Sequence, residues 1–166
     1  MPILKAGELD LISHSVEQTQ RLGARLGAML RPGDVLCLSG EMGAGKTVFS
    51  SGLGLGWGAV EPLVSPTYTL AHQHRREADG AVLYHLDCYR LNGPDDADSI
   101  EFDDLLDSGA VLLIEWPDKI AARIPAERLW IRMRAVDPTH RSLSFMPAGA
   151  YYTALVDQFR QNVIGD

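Results

Sequence analysis

Gly40-Glu41-Met42-Gly43-Ala44-Gly45-Lys46-Thr47 has the form G-x-x-x-x-G-K-[ST], the spacing of a phosphate-binding loop. A triphosphate has to be wrapped by backbone N–H groups that no side chain obstructs, and Gly40, Gly43 and Gly45 leave that backbone bare. Lys46 is then the compact cation that reaches the β- and γ-phosphates, and the Thr47 hydroxyl is placed to ligate Mg²⁺. The four fixed positions would also fit a glycine-rich turn that happens to contain Lys-Thr, so the flanks decide. Asp34-Val35-Leu36-Cys37-Leu38-Ser39 reads as a short buried strand running into the loop, and Thr47 to Leu53 continues as a helix. Strand, loop and helix in that order are the context the motif requires.

The chain has 166 residues, 46% hydrophobic and 22% charged, which suits one globular domain spanning residues 1–166. The formal net charge of −7 disfavours a protein that grips nucleic acid through a general cationic surface. Any role near RNA then passes through a partner. Cys37 and Cys88 are the two cysteines, without metal-ligand spacing, and suggest neither a disulfide framework nor a zinc site. The N-terminus lacks a signal-like apolar core and no run reaches membrane-spanning length, so a reducing cytoplasm is the expected compartment.

Upstream of the loop, Ser15 to Leu30 reads as an amphipathic helix opened by a Ser15-x-x-Gln18 capping box, with Gly23 and Gly27 four apart on one face for close approach to another element. Gly52-Leu53-Gly54-Leu55-Gly56-Trp57-Gly58 is expected to terminate the loop's helix in a mobile connection. Tyr68 to Arg75 and Ala81 to Asp87 form a hairpin about Asp79-Gly80, the acid-rich stretch from Gly93 to Ser108 a short solvated helix, and Val111 to Ile114 a strand buried on both faces. Leu129 to Val136 alternates apolar and polar residues and turns through Asp137 to His140 into Arg141 to Phe145, and Tyr151 to Val163 closes the chain as a helix. The fold class is α/β: a P-loop NTPase domain with a mixed, mostly parallel sheet, antiparallel hairpins and flanking helices.

Such a loop needs a carboxylate at the end of a neighbouring buried strand to orient Mg²⁺ or its water shell. Asp87 and Glu115 each close a strand, and the residues alone leave open which of them serves. Ser65 and Thr67, two hydroxyls about Pro66, fit a γ-phosphate-sensing loop or plain turn chemistry equally well. His85 reads as a strand residue rather than a ligand. No N-K-x-D element reads guanine and no LSGGQ-like segment is present, which takes most of the weight from the small GTPase and transporter ATPase readings. An ATPase, a small P-loop kinase acting on a metabolite and a nucleotide-gated binding module remain.

Four ordered blocks carry a further resemblance. Gly40 to Thr47, Ser65-Pro66-Thr67-Tyr68-Thr69-Leu70, His85-Leu86-Asp87-Cys88-Tyr89-Arg90-Leu91 and Ile114-Glu115-Trp116-Pro117 resemble the TsaE (YjeE) family, bacterial ATPases of tRNA threonylcarbamoyladenosine modification. The resemblance implies that the cofactors are ATP and Mg²⁺, with Glu41, Met42, Gly43, Ala44, Gly45, Lys46 and Thr47 around the phosphates and Thr47 and Glu115 ligating the metal. It implies that Lys46, Asp87, Glu115 and Thr67 serve hydrolysis, Asp87 by positioning the attacking water or the metal's shell. Thr67 would belong to a switch-like loop, Trp116 would stand beside the nucleotide, Thr19 near adenine, and Arg141 near phosphate. The implied partners are the TsaD and TsaB proteins, with tRNA engaged only through that complex. Cys88 stands where the family more often has Leu.

Overall fold

The computed structural model describes residues 5–64 and 70–164. Its elements run β1 (Leu9–Ser13), α1 (Val16–Gly27), β2 (Val35–Ser39), α2 (Lys46–Trp57), β3 (Ala71–Arg75), β4 (Val82–Asp87), α3 (Phe102–Asp107), β5 (Val111–Glu115), β6 (Arg128–Ala135), β7 (Arg141–Ala148) and α4 (Ala150–Ile164), with 3₁₀ turns over Pro94–Ile100 and Pro117–Arg123. One seven-stranded sheet has the order β1-β7-β6-β2-β5-β4-β3. The four central strands β6, β2, β5 and β4 pair in parallel, and the outer pairings β1–β7, β7–β6 and β4–β3 are antiparallel. Every residue of β2 and β5 is buried, as expected for parallel strands covered on both faces.

Alternation along the strands divides the core in two. Leu36 and Leu38 of β2, Leu83 of β4, Val111 and Leu113 of β5, and Leu129, Ile131 and Met133 of β6 join one cluster with Phe49, Leu53 and Phe159 from the helices. Val35, Cys37, Leu86, Leu112 and Ile114 face the other way, toward Phe102 and Ile120. By the same period of two, His85 and Asp87 continue the row of Leu83, and Glu115 continues that of Val111 and Leu113. The three polar side chains therefore leave the sheet on the face that carries α2.

Helix α1 opens as its sequence requires: Ser15 Oγ accepts the Gln18 N–H at 3.0 Å, and Gln18 Oε1 accepts the N–H of His14. Phe49, Leu53 and Trp57 recur four apart as the buried seam of α2. That helix runs through Gly52, Gly54 and Gly56 and ends only where Gly58 turns left-handed, φ 95°. The expectation of a mobile connection beginning at Gly52 is thus corrected. A Cβ on Gly52 would stand 2.0 Å from the carbonyl oxygen of Gln20, and one on Gly56 1.8 Å from that of Ala24; Gly23 and Gly27 meet α2 in the same way. The glycines let two helix backbones touch, and that burial outweighs their low helix propensity.

Both hairpins are present, the first described from Ala71 onward, since Tyr68 and Thr69 lie outside the described residues. Asp79-Gly80 joins β3 to β4 with His74 opposite Leu83, and β6 returns as β7 with Leu129, Ile131 and Met133 buried and Arg132 and Arg134 exposed. Leu155 and Phe159 face the core from α4, and Tyr152 Oη accepts the N–H of Val35 at 2.8 Å. The acid-rich stretch is a 3₁₀ turn followed by the six-residue α3, broken at Glu101, φ 53°. The segment Ser65 to Thr69, including Thr67, lies outside the described residues.

Candidate nucleotide and metal site

The loop leaves the C-terminal edge of β2, the edge at which open α/β sheets bind ligands. Gly45 caps α2 in the left-handed region, φ 98°, and the cap carries no side-chain hydrogen bond. The helix therefore presents its first N–H groups and its positive end toward the cleft, with no acidic side chain in its first turn. This is the arrangement that receives phosphate.

A cleft of about 440 Å³ lies over this helix end. Met42, Gly43, Gly45, Lys46 and Thr47 line it from the loop, Asp87 from β4, and Glu115 and Trp116 from the end of β5. Arg141 closes it from β7. The Lys46 ammonium donates to the carbonyl of Gly40 and stands 3.9 Å from the centroid of the Trp116 ring. Burial lowers its pKa from the ordinary lysine value, while Glu115, Asp87 and Asp118 pull it back up. Trp116 is one of two non-glycine residues with positive φ among those described, at 55°. Its ring, 4.9 Å from that of Tyr89, is held in a backbone conformation that costs energy and occurs preferentially at functional sites.

Asp87 and Glu115 are Cα partners in the β4–β5 register, which sets two carboxylates side by side at the mouth of the loop. Asp87 Oδ1 accepts the N–H of Tyr89 at 2.9 Å. Burial raises its pKa above the ordinary aspartate value, the Tyr89 N–H opposes that, and the Glu115 charge adds to it. Glu115 is buried, with Oε2 2.7 Å from His85 Nε2. Sequence reasoning set His85 aside as a strand residue; it is one, and it is also the partner of Glu115. The available signal was two polar residues at i and i+2, His85 and Asp87, facing one way from an otherwise apolar strand.

Other candidates are distributed around this cleft. Glu41 and Ala44 turn to an adjoining pocket of about 510 Å³, shared with Met42, Trp116, Arg132 and Arg134. Thr19 is buried, its hydroxyl 2.6 Å from that of Ser13, beside a third cavity of about 300 Å³. That cavity shares Gly45, Val48 and Arg141 with the cleft over α2. The Arg141 guanidinium donates to the carbonyls of Asp137 and His140, which fixes it beside Gly45.

Among the described residues no three His, Cys, Asp or Glu side chains form a metal cage by themselves. The donor set still fits Mg²⁺, which is held by one or two carboxylates together with substrate phosphates rather than by an all-protein cage. Glu115, Asp87 and the hydroxyl-bearing Thr47 supply hard oxygen atoms in one cleft.

A four-stranded parallel centre, a phosphate loop at the end of β2 and two carboxylates at neighbouring strand ends define a P-loop NTPase-type α/β protein. Comparison with known proteins narrows the class. A family model described as "Threonylcarbamoyl adenosine biosynthesis protein TsaE" matches residues 13–143, and the chain belongs to the TsaE family. The tRNA threonylcarbamoyladenosine biosynthesis protein TsaE of Bacillus subtilis is 33% identical over 147 residues, 88% of this chain and 90% of that one. Its counterpart in Streptomyces coelicolor is 41% identical over 122 residues, covering 72% and 82%; that in Treponema pallidum is 36% identical over 134 residues, covering 80% and 96%. The crystal structure of Bacillus subtilis YdiB superposes with a TM-score of 0.76 at 30% identity, over 98% of this chain and 99% of that one.

Proposed function

We propose that this chain binds Mg-ATP in the cleft over α2 and hydrolyses it in the service of tRNA threonylcarbamoyladenosine formation, acting on a complex of TsaD and TsaB. The observation that carries the reading is the convergence of Lys46, Thr47, Asp87 and Glu115 on one cleft at the N-terminus of α2. The bare loop backbone and the helix end bind the phosphates, and Lys46 exchanges its Gly40 carbonyl for phosphate oxygens. Thr47 and Glu115 hold Mg²⁺, which supplies charge neutralisation of the phosphates. Asp87 keeps Oδ2 after Oδ1 has bonded the Tyr89 N–H; with its basicity raised by burial, it orients the attacking water.

The net charge of −7 suits a protein that reaches tRNA through partners, and a cytoplasmic location goes with this reading. No described helix is long and apolar enough to cross a membrane. The test is phosphate release by the purified chain, alone and with purified TsaB and TsaD. Stimulated ATP hydrolysis together with complex formation supports the assignment; no binding and no stimulation contradicts it.

A further inference from the structure

We infer that His85 is a positioning residue for the metal site: its imidazole fixes the Glu115 carboxylate so that one oxygen stays turned to the cleft. The inference rests on the proposed role of Glu115 as a Mg²⁺ ligand and goes beyond it by naming what orients that ligand.

The two side chains come from adjacent parallel strands. Asp87 is opposite Glu115 and His85 opposite Leu113, two residues back, so the His85 ring lies beneath the Glu115 side chain on the α2 face of the sheet. Nε2 stands 2.7 Å from Oε2, with the two side chains 0% and 4% exposed. A carboxylate only accepts, so Nε2 carries the proton. Nδ1 has no hydrogen-bond partner among the described residues. Among the described residues the ring's one hydrogen bond is therefore the one to Glu115.

A buried glutamate with three rotatable bonds otherwise has several ways to place its oxygens. With Oε2 tied to His85, Oε1 is left for a cation at the mouth of the cleft, where Glu115 and Thr47 both line the wall. Partners that orient a ligand and tune its basicity are a general requirement of metal sites. A purely structural His85, present only to satisfy a buried acid, predicts lost stability without any selective effect on the metal.

The experiment measures ADP binding by calorimetry at increasing Mg²⁺ and again in EDTA, alongside thermal unfolding, for the intact chain and for His85→Leu, His85→Gln and Glu115→Gln. For His85→Leu, the Mg²⁺ needed for half-maximal enhancement is expected to rise about 10–100-fold, with affinity in EDTA unchanged. His85→Gln, which returns an N–H donor at the reach of Nε2, is expected to restore most of the loss. If His85→Leu does not fold, His85→Asn replaces it, its amide too short to reach Oε2 and its expected deficit the same. An unchanged Mg²⁺ requirement in the His85 variants, while Glu115→Gln raises it, overturns the inference alone. An unchanged requirement in Glu115→Gln overturns the metal reading on which the inference stands, and the inference with it.

Discussion

Asp87 and Glu115 occupy opposed positions in the β4–β5 ladder, yet their carboxylates are committed differently: Asp87 to the backbone N–H of Tyr89, Glu115 to the buried imidazole of His85. Equal register with unequal partners implies unequal roles. Glu115→Ala is expected to raise the Mg²⁺ needed for nucleotide binding on the order of tenfold or more. Asp87→Asn should bind Mg-nucleotide normally and lower kcat by about 10²–10⁴-fold. Titrations with and without Mg²⁺, set beside single-turnover hydrolysis, separate the two; equal loss of affinity in both variants contradicts the division.

Asp87 also links function to stability. Its pKa is raised by burial, only partly offset by the Tyr89 N–H, so the folded chain binds a proton there more tightly than the unfolded chain. The stability tied to protonated Asp87 is fully present below the ordinary value of 3.8 and is lost as pH rises through the raised folded value. At neutral pH the charged form is a net cost. Asp87→Asn should therefore raise Tm at pH 7, and the gain should shrink as pH falls toward 4. A Tm difference that does not change with pH contradicts this assignment.

The α1–α2 contact makes a separate demand. Gly56→Ala places a Cβ against the carbonyl of Ala24 at a distance neither backbone can yield, which should destabilise by about 1–3 kcal/mol, or roughly 2–4 °C of Tm per kcal/mol. Gly93→Ala, where nothing lies within 4 Å and φ is extended, is the control and should leave Tm nearly unchanged.

That contact also shows where the sequence was legible and where it was not. The strand–loop–helix around Gly40 to Thr47, the buried strands β2 and β5 and the two antiparallel pairings are written in short-range patterns, and the structure carries them. Gly52 and Gly56 of α2 read as a helix stop because their meaning lies in the contact with α1, some thirty residues earlier. Strand β1 pairs with β7 near the other end of the chain, Leu9 opposite Phe145 and Ser13 opposite Arg141, and a short edge strand carries little local signal. The pairing of His85 with Glu115 depends on strand register, which neither strand reveals alone. Family resemblance, not periodicity, singled out Trp116, Thr19 and Arg141, and the structure sets all three around the loop in two adjoining cavities.

Trp116 should report occupancy. Its ring contacts the Lys46 ammonium, whereas Trp57 lies at the far end of α2, about 16 Å along the helix, and Trp130 donates to Ser39. Adding nucleotide should change intrinsic fluorescence in the intact chain and in Trp57→Phe, and the change should vanish in Trp116→Phe. A response that survives in Trp116→Phe contradicts the placement of the nucleotide beside this ring.

Calorimetric titration of a non-hydrolysable ATP analogue into the intact chain and into Lys46→Ala, each with and without Mg²⁺, tests most directly whether the cleft over α2 is a Mg-nucleotide site. Saturable binding strengthened by Mg²⁺ and weakened about 100-fold or more by Lys46→Ala is the expected result. Binding indifferent both to Mg²⁺ and to Lys46, or no binding at all, would contradict it.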